Sequence, residues 1–503
     1  MSQPIEPTGL PGEPATTPSP GGVMPGIETD FDGSATAPLP LEYATGPRGK
    51  WTVGTLAYTT GGLIALFCVL LGGDFALSMR ERAIPSTTAK MLKWYHASDL
   101  TFSLLTVSLP PVLSLLFVPL VSFRSDRHRG RWGRRIPYLL ATTPVAAGCM
   151  AGLAFAGDIG HRLSALGHGR WSADACSLVC FGVLWTGFEC AALTGLALFA
   201  ALANDVVPRP LLGRFYGLFR AVSLFAGILF NYAIFPHADG HVHAILVSIA
   251  IVFAVGFTFM CLRVREGSYP PPVTLDGALP EGCVGRLVAV WLYLQQSFRE
   301  PYYLRVFAAL TLGGITFYPV NTFSYFYSQQ VGQSDTTYGH LVALTYLISL
   351  GLALPMGWLV DRLSAVSVAT CCIAAYAASM LFAGVTVHGS RSFGAALVVH
   401  GVVSGCYFTA AASMPQALLP RLRFGQFASA AGIVQAMATM AVGPITGQLL
   451  DWSGHNYRLT FYYASGLAAV GVVCLLAVGL SKRPADDDHP PAGFPVVPIA
   501  AAH

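Results

Sequence analysis

Glu189 lies in LWTGFECAALTG, and the nearest charged residues along the chain are Asp174 and Asp205. A carboxyl isolated in this way can take up and release a proton near neutral pH; the plainer alternative is a protonated carboxyl hydrogen-bonded in packing. Asp74, behind two glycines in LLGGDFALSMRER, offers the same proton chemistry or an interfacial pairing with Arg80. Arg220 either extends to a water boundary or pairs with Glu189. A second chemistry is written in TFYPVNTFSYFYSQQ, residues 316–330, where Tyr318, Asn321, Tyr325, Gln329 and Gln330 supply amides, hydroxyls and ring faces. Asn321 and Tyr325 are four apart and share a helix face, and Pro319 can kink the helix. Asn231, His400 and Gln435 add polar groups in otherwise apolar surroundings. This set suits a sugar, which presents hydroxyls and apolar ring faces, although aromatic stripes also arise from packing alone.

The elements that hold these residues are membrane spans. The 503 residues are 54% hydrophobic and 11% charged, with a mean hydropathy of +0.57; a soluble chain of this length carries more charge. About 20 apolar residues cross a bilayer as a helix, and twelve such runs occur. Six are Thr52–Met79, Leu100–Phe123, Ile136–Ala156, Ala175–Ala203, Leu212–Phe235 and Ala244–Leu262. The other six are Val306–Tyr327, Leu341–Val360, Val366–Val387, Gly394–Ser413, Gln426–Leu450 and Leu459–Leu480. The expected fold is an all-α membrane protein of two six-helix bundles, residues 51–264 and 303–481. Residues 1–50 and 482–503 read as polar cytoplasmic tails, and 265–302 as a linker whose stretch Arg286–Phe298 is an amphipathic surface helix.

Lys and Arg favour cytoplasmic loops. With the N-terminus inside, 20 of the 29 Lys and Arg residues fall on the inner side and eight on the outer, with Arg220 within a span. Both termini are therefore expected in the cytoplasm, and the chain in the cell (inner or plasma) membrane. The eleven cysteines lie almost all inside predicted spans and read as packing residues. The loop HADGHVH, with His237, Asp239, His241 and His243, reads as exposed rather than metal-binding. No metal site is expected, nor any cofactor beyond a proton as coupling ion. No nucleophile elbow, phosphate loop or zinc-enzyme spacing occurs, so catalysis is not expected.

The two halves echo each other. VVPRPLLGRFYG at 206–217 matches LLPRLRFGQFAS at 418–429 through Pro208/Pro420, Arg209/Arg421, Gly213/Gly425 and Phe215/Phe427. SDR at 125–127 is echoed by VDR at 360–362, so Asp361 and Arg362 correspond to Asp126 and Arg127. Duplicated halves favour a site at their interface and alternating access by rocking.

Six arginines crowd Arg124–Arg135 between two apolar runs. They serve as a topology signal, and Asp126 gives them a second use. At a helix C-terminus a carboxylate is unfavourable by some tenths of a kcal/mol, so Asp126 needs partners, either local arginines or another helix N-terminus. Pairing of the latter kind would make a reversible latch between bundles. D-R-x-x-x-R-x-G-R-R, here Asp126, Arg127, Arg131, Gly133, Arg134 and Arg135, resembles the loop 2–3 signature of the major facilitator superfamily. VPLVSFRSDRHRGRWGRRIPYLL resembles the branch of sucrose transporters and glycoside-pentoside-hexuronide symporters. That resemblance implies sugar transport, with an acidic residue at about the depth of Glu189 and polar binding groups in the helix of Asp74. Related sodium symporters carry an Asp where this chain has Val118, which points to protons instead.

The expected function is proton-coupled sugar symport, by a monomer, with Glu189 and Asp74 coupling and no nucleic-acid partner. The solute set comprises Asn321, Tyr325, Tyr318, Gln435, Asn231, His400 and Arg220. The gate comprises Asp126, Arg127, Arg131, Gly133, Arg134, Arg135, Asp361 and Arg362. The alternatives are a transporter or exporter of another small organic solute with the same fold, a non-transporting membrane sensor, and a membrane-embedded enzyme.

Overall fold

The structure is a computed structural model, and it describes residues 50–168, 170–238, 240–268, 295, 297–420 and 423–481. Both expected tails and most of the amphipathic stretch Arg286–Phe298 fall outside these residues. Among the described residues, twelve helices are long and apolar enough to cross a membrane. They are α1 Thr60–Trp94, α2 Asp99–Arg127, α3 Ile136–Ala154, α4 Ala173–Val206, α5 Arg209–His237 and α6 Val242–Arg263. The second half has α7 Pro301–Gln330, α8 Asp335–Leu363, α9 Ala365–Thr386, α10 Ser390–Ala411, α11 Phe424–Trp452 and α12 Leu459–Leu480.

The first span departs from the expected limits at both ends. Residues Lys50–Val53 and Leu56–Thr59 pair as an antiparallel hairpin, β1 and β2, turning at Gly54, whose φ of 52° suits glycine. The helix begins only at Thr60, where the Thr59 hydroxyl accepts from Gly62 N–H at 3.1 Å. It then runs through the charged segment after Met79 to Trp94. Its 35 residues span about 52 Å at 1.5 Å per residue, far more than about 30 Å of hydrocarbon. Arg80, Arg82, Lys90 and Lys93 therefore belong to α1 rather than to a loop.

Helix starts differ by end. At the end of the molecule carrying Arg134 and Arg135, the basic end, α3, α5 and α7 open with Pro in the first turn, where a missing N–H costs nothing. At the far end, Ser98, Ser172 and Ser334 cap α2, α4 and α8 with their hydroxyls. α7 is interrupted at Thr316–Phe317, where Pro319 cannot donate to the Ile315 carbonyl. α2 carries a π-helical turn, Leu104–Ser108.

The duplication seen in the sequence holds in three dimensions. In the first half α1 packs on α5 and α6, α3 on α4 and α6, and α2 on α4. In the second half α7 packs on α11 and α12, α9 on α10 and α12, and α8 on α10. Between the halves α2 meets α11 and α5 meets α8, which are again equivalent pairs. Phe215 and Phe427, matched by the repeat, are both buried.

Candidate functional site

A cavity of about 520 Å³ lies between the halves, within the range of small-molecule sites. The wall from the first half is charged. Arg80, Glu81 and Glu189 line it, beside Phe102, Trp185 and Phe188. The wall from the second half is neutral: Tyr318, Asn321, Thr322 and Tyr325 of α7, with Gln435 of α11 and the rings of Phe317 and Phe408. A second cavity of about 300 Å³ shares Gly314, Phe408 and Gln435 and continues past Pro415 and Leu419.

Glu189 receives no hydrogen bond from any described residue, and Arg80 and Glu81 stand within electrostatic range of it. Arg80 is 3% exposed. Its guanidinium lies 4.7 Å from the Phe253 ring centroid and 5.6 Å from that of Phe188, cation–π contacts that hold a cation away from water. The Arg80 Nε is buried without a partner among the described residues. Sequence reasoning missed Arg80 and Glu81 because they follow the end of the apolar run.

The structure brings Glu189, Tyr318, Asn321, Tyr325 and Gln435 together on the cavity. Tyr325 turns its hydroxyl to Asp335 at 3.4 Å. His400 is buried behind Asn321, with Nε2 2.8 Å from Asn321 Oδ1. Asp74, Asn231 and Arg220 lie off the cavity. Asp74 is fully buried in α1, accepts from the Ser78 hydroxyl at 3.4 Å and keeps its other oxygen unpartnered. Asn231 sits in the α5–α8 contact, where its carbonyl would be 2.4 Å from a Cβ on Gly339. Arg220 stands in electrostatic range of Arg82 and Tyr346, not of Glu189.

The halves are joined beyond the cavity at the far end. Lys90 Nζ of α1 meets Asp335 Oδ2 of α8 at 2.6 Å, both buried, and Gln329 donates to the other Asp335 oxygen at 2.8 Å. Asp451 of α11 accepts the backbone N–H groups of Asp99 and Leu100, each at 3.0 Å, capping α2 from the opposite half. Asp99 in turn holds His455 Nδ1 at 2.7 Å and accepts the Tyr457 hydroxyl at 3.0 Å. That carboxylate pushes the His455 imidazole above its ordinary pKa. Phe102 stacks edge-on against Phe323 and Phe326. The sequence held a signal for this closure, the matched Ser98-Asp99 and Ser334-Asp335 pairs.

At the basic end the gate residues Asp126, Arg134 and Arg135 pair with partners in the first half. Asp205 of α4 takes Arg134 at 2.8 and 2.9 Å and Arg135 at 2.5 Å. Asp126 lies 3.2 Å from Arg135 and 3.9 Å from Arg134, so local arginines compensate it. Glu266, just past α6, accepts the N–H groups of Arg134, Arg135 and Ile136 at 2.9, 2.8 and 2.8 Å. Gly133 has φ +100°, and a Cβ there would come within 2.6 Å of the Glu266 carboxyl carbon. Arg127 covers the Phe123 ring, Arg131 is exposed, and Arg362 covers Trp358 beside an exposed Asp361.

Two six-helix halves around a polar cavity define the fold as that of the major facilitator transporters. The Major Facilitator Superfamily model matches residues 305–502, the second half. The nucleoside transporter NupG superimposes with a TM-score of 0.57 at 12% identity, over 83% of this chain and 100% of that one. A D-xylose-proton symporter gives 0.60 at 13% identity, over 82% and 97%. A bacterial homolog of the human lysosomal transporter Spinster, inward-facing and unoccupied, gives 0.56 at 11%, over 84% and 96%. No curated protein sequence matches the chain.

Proposed function

We propose that the chain is a secondary active transporter that moves a sugar together with a proton by alternating access. The observation that carries this is the two-sided cavity: an unpartnered carboxyl, Glu189, faces a neutral wall of amides, hydroxyls and rings. Asn321, Gln435, Tyr318 and Thr322 match hydroxyls, and Phe188, Phe317 and Phe408 match apolar ring faces. Glu189 binds the coupling proton, and Arg80 and Glu81 set the field in which it does so. Asp74 is a second proton-binding candidate, reached through α1.

Positive charge orients the protein. Outside the twelve spans, the outer side keeps only Arg162, Arg170 and Arg458, against 13 Lys and Arg residues on the inner side. The basic end is thus cytoplasmic, and the state described is closed on the outside. The Asp126–Arg135 turn is the inner latch, and Asp205 and Glu266 hold it in this state. The loop 2–3 stretch supports a place near the sucrose-transporter branch. A nucleoside, with a ribose and a flat base, is the second solute class the cavity suits, because eight aromatic residues line it alongside its amides (Phe102, Trp185, Phe188, Phe317, Tyr318, Tyr325, Tyr338 and Phe408).

Uptake of radiolabelled monosaccharides, disaccharides and nucleosides into proteoliposomes under an imposed proton gradient, with and without an uncoupler, and counterflow of the same solutes test this. Sugar accumulation that collapses with the uncoupler is expected. Selective nucleoside counterflow would move the solute class, and binding without counterflow would point to a sensor.

A further inference from the structure

We infer that His400 and Tyr376 are positioning residues that make Asn321 present its amide NH₂, and not its carbonyl, to the cavity, so that the site recognises an oxygen acceptor on the solute. This rests on the cavity being the solute site.

Three helices of the second half build the arrangement: Asn321 on α7, Tyr376 on α9 and His400 on α10. Tyr376 is 0% and His400 2% exposed. The Tyr376 hydroxyl lies 2.8 Å from His400 Nδ1, and His400 Nε2 lies 2.8 Å from Asn321 Oδ1. Phe317 seals the group, its ring centroid 4.5 Å from that of Tyr376.

The proton count in this chain has one complete solution. A neutral imidazole carries one N–H and one lone pair, and an amide oxygen only accepts. With Asn321 Oδ1 on Nε2, the imidazole proton sits on Nε2, and Nδ1 accepts from the Tyr376 O–H. Every buried donor then has an acceptor. Turning the Asn321 amide over reverses the chain: Nε2 accepts, Nδ1–H donates to the Tyr376 oxygen, and the phenol proton is left without a partner. Among the described residues the Tyr376 hydroxyl has His400 alone as its partner. A buried unpaired donor is strongly disfavoured. The phenol of Tyr376, out of reach of the cavity, therefore decides which face of Asn321 the solute meets.

On the cavity side neither amide N–H of Asn321 has a partner among the described residues, so both can donate. They suit a hydroxyl or ring-ether oxygen, and they reject a solute that offers only a donor or a methylene there, because an N–H that the bound solute shields from water would stay unpaired.

Two measurements test this. In ¹⁵N-histidine protein in nanodiscs, the His400 resonance, assigned by its loss in His400→Gln among the 13 histidines, should show the neutral Nε2–H tautomer at pH 7. It should shift toward a tautomer mixture in Tyr376→Phe. An Nδ1–H tautomer in the native protein, or no change in Tyr376→Phe, overturns the inference. In counterflow of D-glucose and its monodeoxy derivatives, one deoxy position should raise KM by roughly tenfold in the native protein, the upper worth of one neutral hydrogen bond, and Tyr376→Phe should reduce that penalty to a few-fold with the maximal rate kept. An unchanged deoxy profile in Tyr376→Phe overturns the inference. Absent D-glucose counterflow in the native protein counts against sugar transport, while the tautomer still decides the role of His400.

Discussion

Lys90 and Asp335 meet at 2.6 Å across the two halves of the molecule, with side chains only 5% and 6% exposed. A buried pair of this kind is a weak source of net stability but a strong switch, because removing one partner strands the other charge at about 3–5 kcal/mol. Lys90→Met should therefore open the outer face, and Lys90→Met with Asp335→Leu should let it close again. Spin labels on the exposed outer residues Trp171 and Arg391 report the distance between halves. A longer distance in the single variant, reversed in the double, is expected.

His455 should give the closed end, outer in the proposed orientation, a pH dependence. Its imidazole meets the Asp99 carboxylate, with Asp451 3.8 Å away and the Tyr457 ring alongside, and the hydrogen bond to Asp99 raises its pKa in the closed state. A raised pKa means that the closed state binds the proton more tightly than the open one. Closure is thus favoured below the free histidine value and loses this support as pH rises through the raised value. The same pair of labels should separate further as external pH is taken from 6 to 8. His455→Gln should flatten that response.

Gly447 of α11 lies against α2, and a Cβ there would be 2.5 Å from both the Asp99 carbonyl oxygen and the Ser103 hydroxyl. Gly447→Leu cannot fit without parting the helices, so it should hold the outer face open and abolish counterflow while the protein still folds. Native-like transport in this variant would show that α2 and α11 need not touch.

At the basic end Asp205, not Asp126, carries most of the load in this state. Asp205 takes three bonds from Arg134 and Arg135 with a side chain 16% exposed, whereas that of Asp126 is 52% exposed. Asp205→Asn should lower the thermal unfolding midpoint by several degrees more than Asp126→Asn, consistent with about 1–3 kcal/mol for charged hydrogen bonds against about 0–1 for an exposed pair. The reverse order in a melt would transfer that role to Asp126.

The sequence made the helices and part of the cavity legible for one physical reason: a polar group in an apolar run stands out. Glu189, Asn321 and Gln435 were found that way. The same rule hid Arg80, Glu81 and Lys90, because a charged stretch after an apolar run looks like a loop. Only tertiary partners, Phe188, Phe253 and Asp335, make it helix interior. Asn231 stood out equally, yet its place is set by the packing of α8 against α5, which local pattern does not encode. The pairing of Asp99 with His455 joins residues 356 positions apart, so only the matched Ser-Asp helix starts hinted at it.

The most direct measurement is solute-driven proton movement in proteoliposomes carrying the native protein and Glu189→Gln. Sugar addition should alkalinise the medium with the native protein. With Glu189→Gln the alkalinisation should vanish while sugar counterflow persists. Full alkalinisation in Glu189→Gln would contradict a coupling role for this carboxyl and, with it, the proposed mechanism.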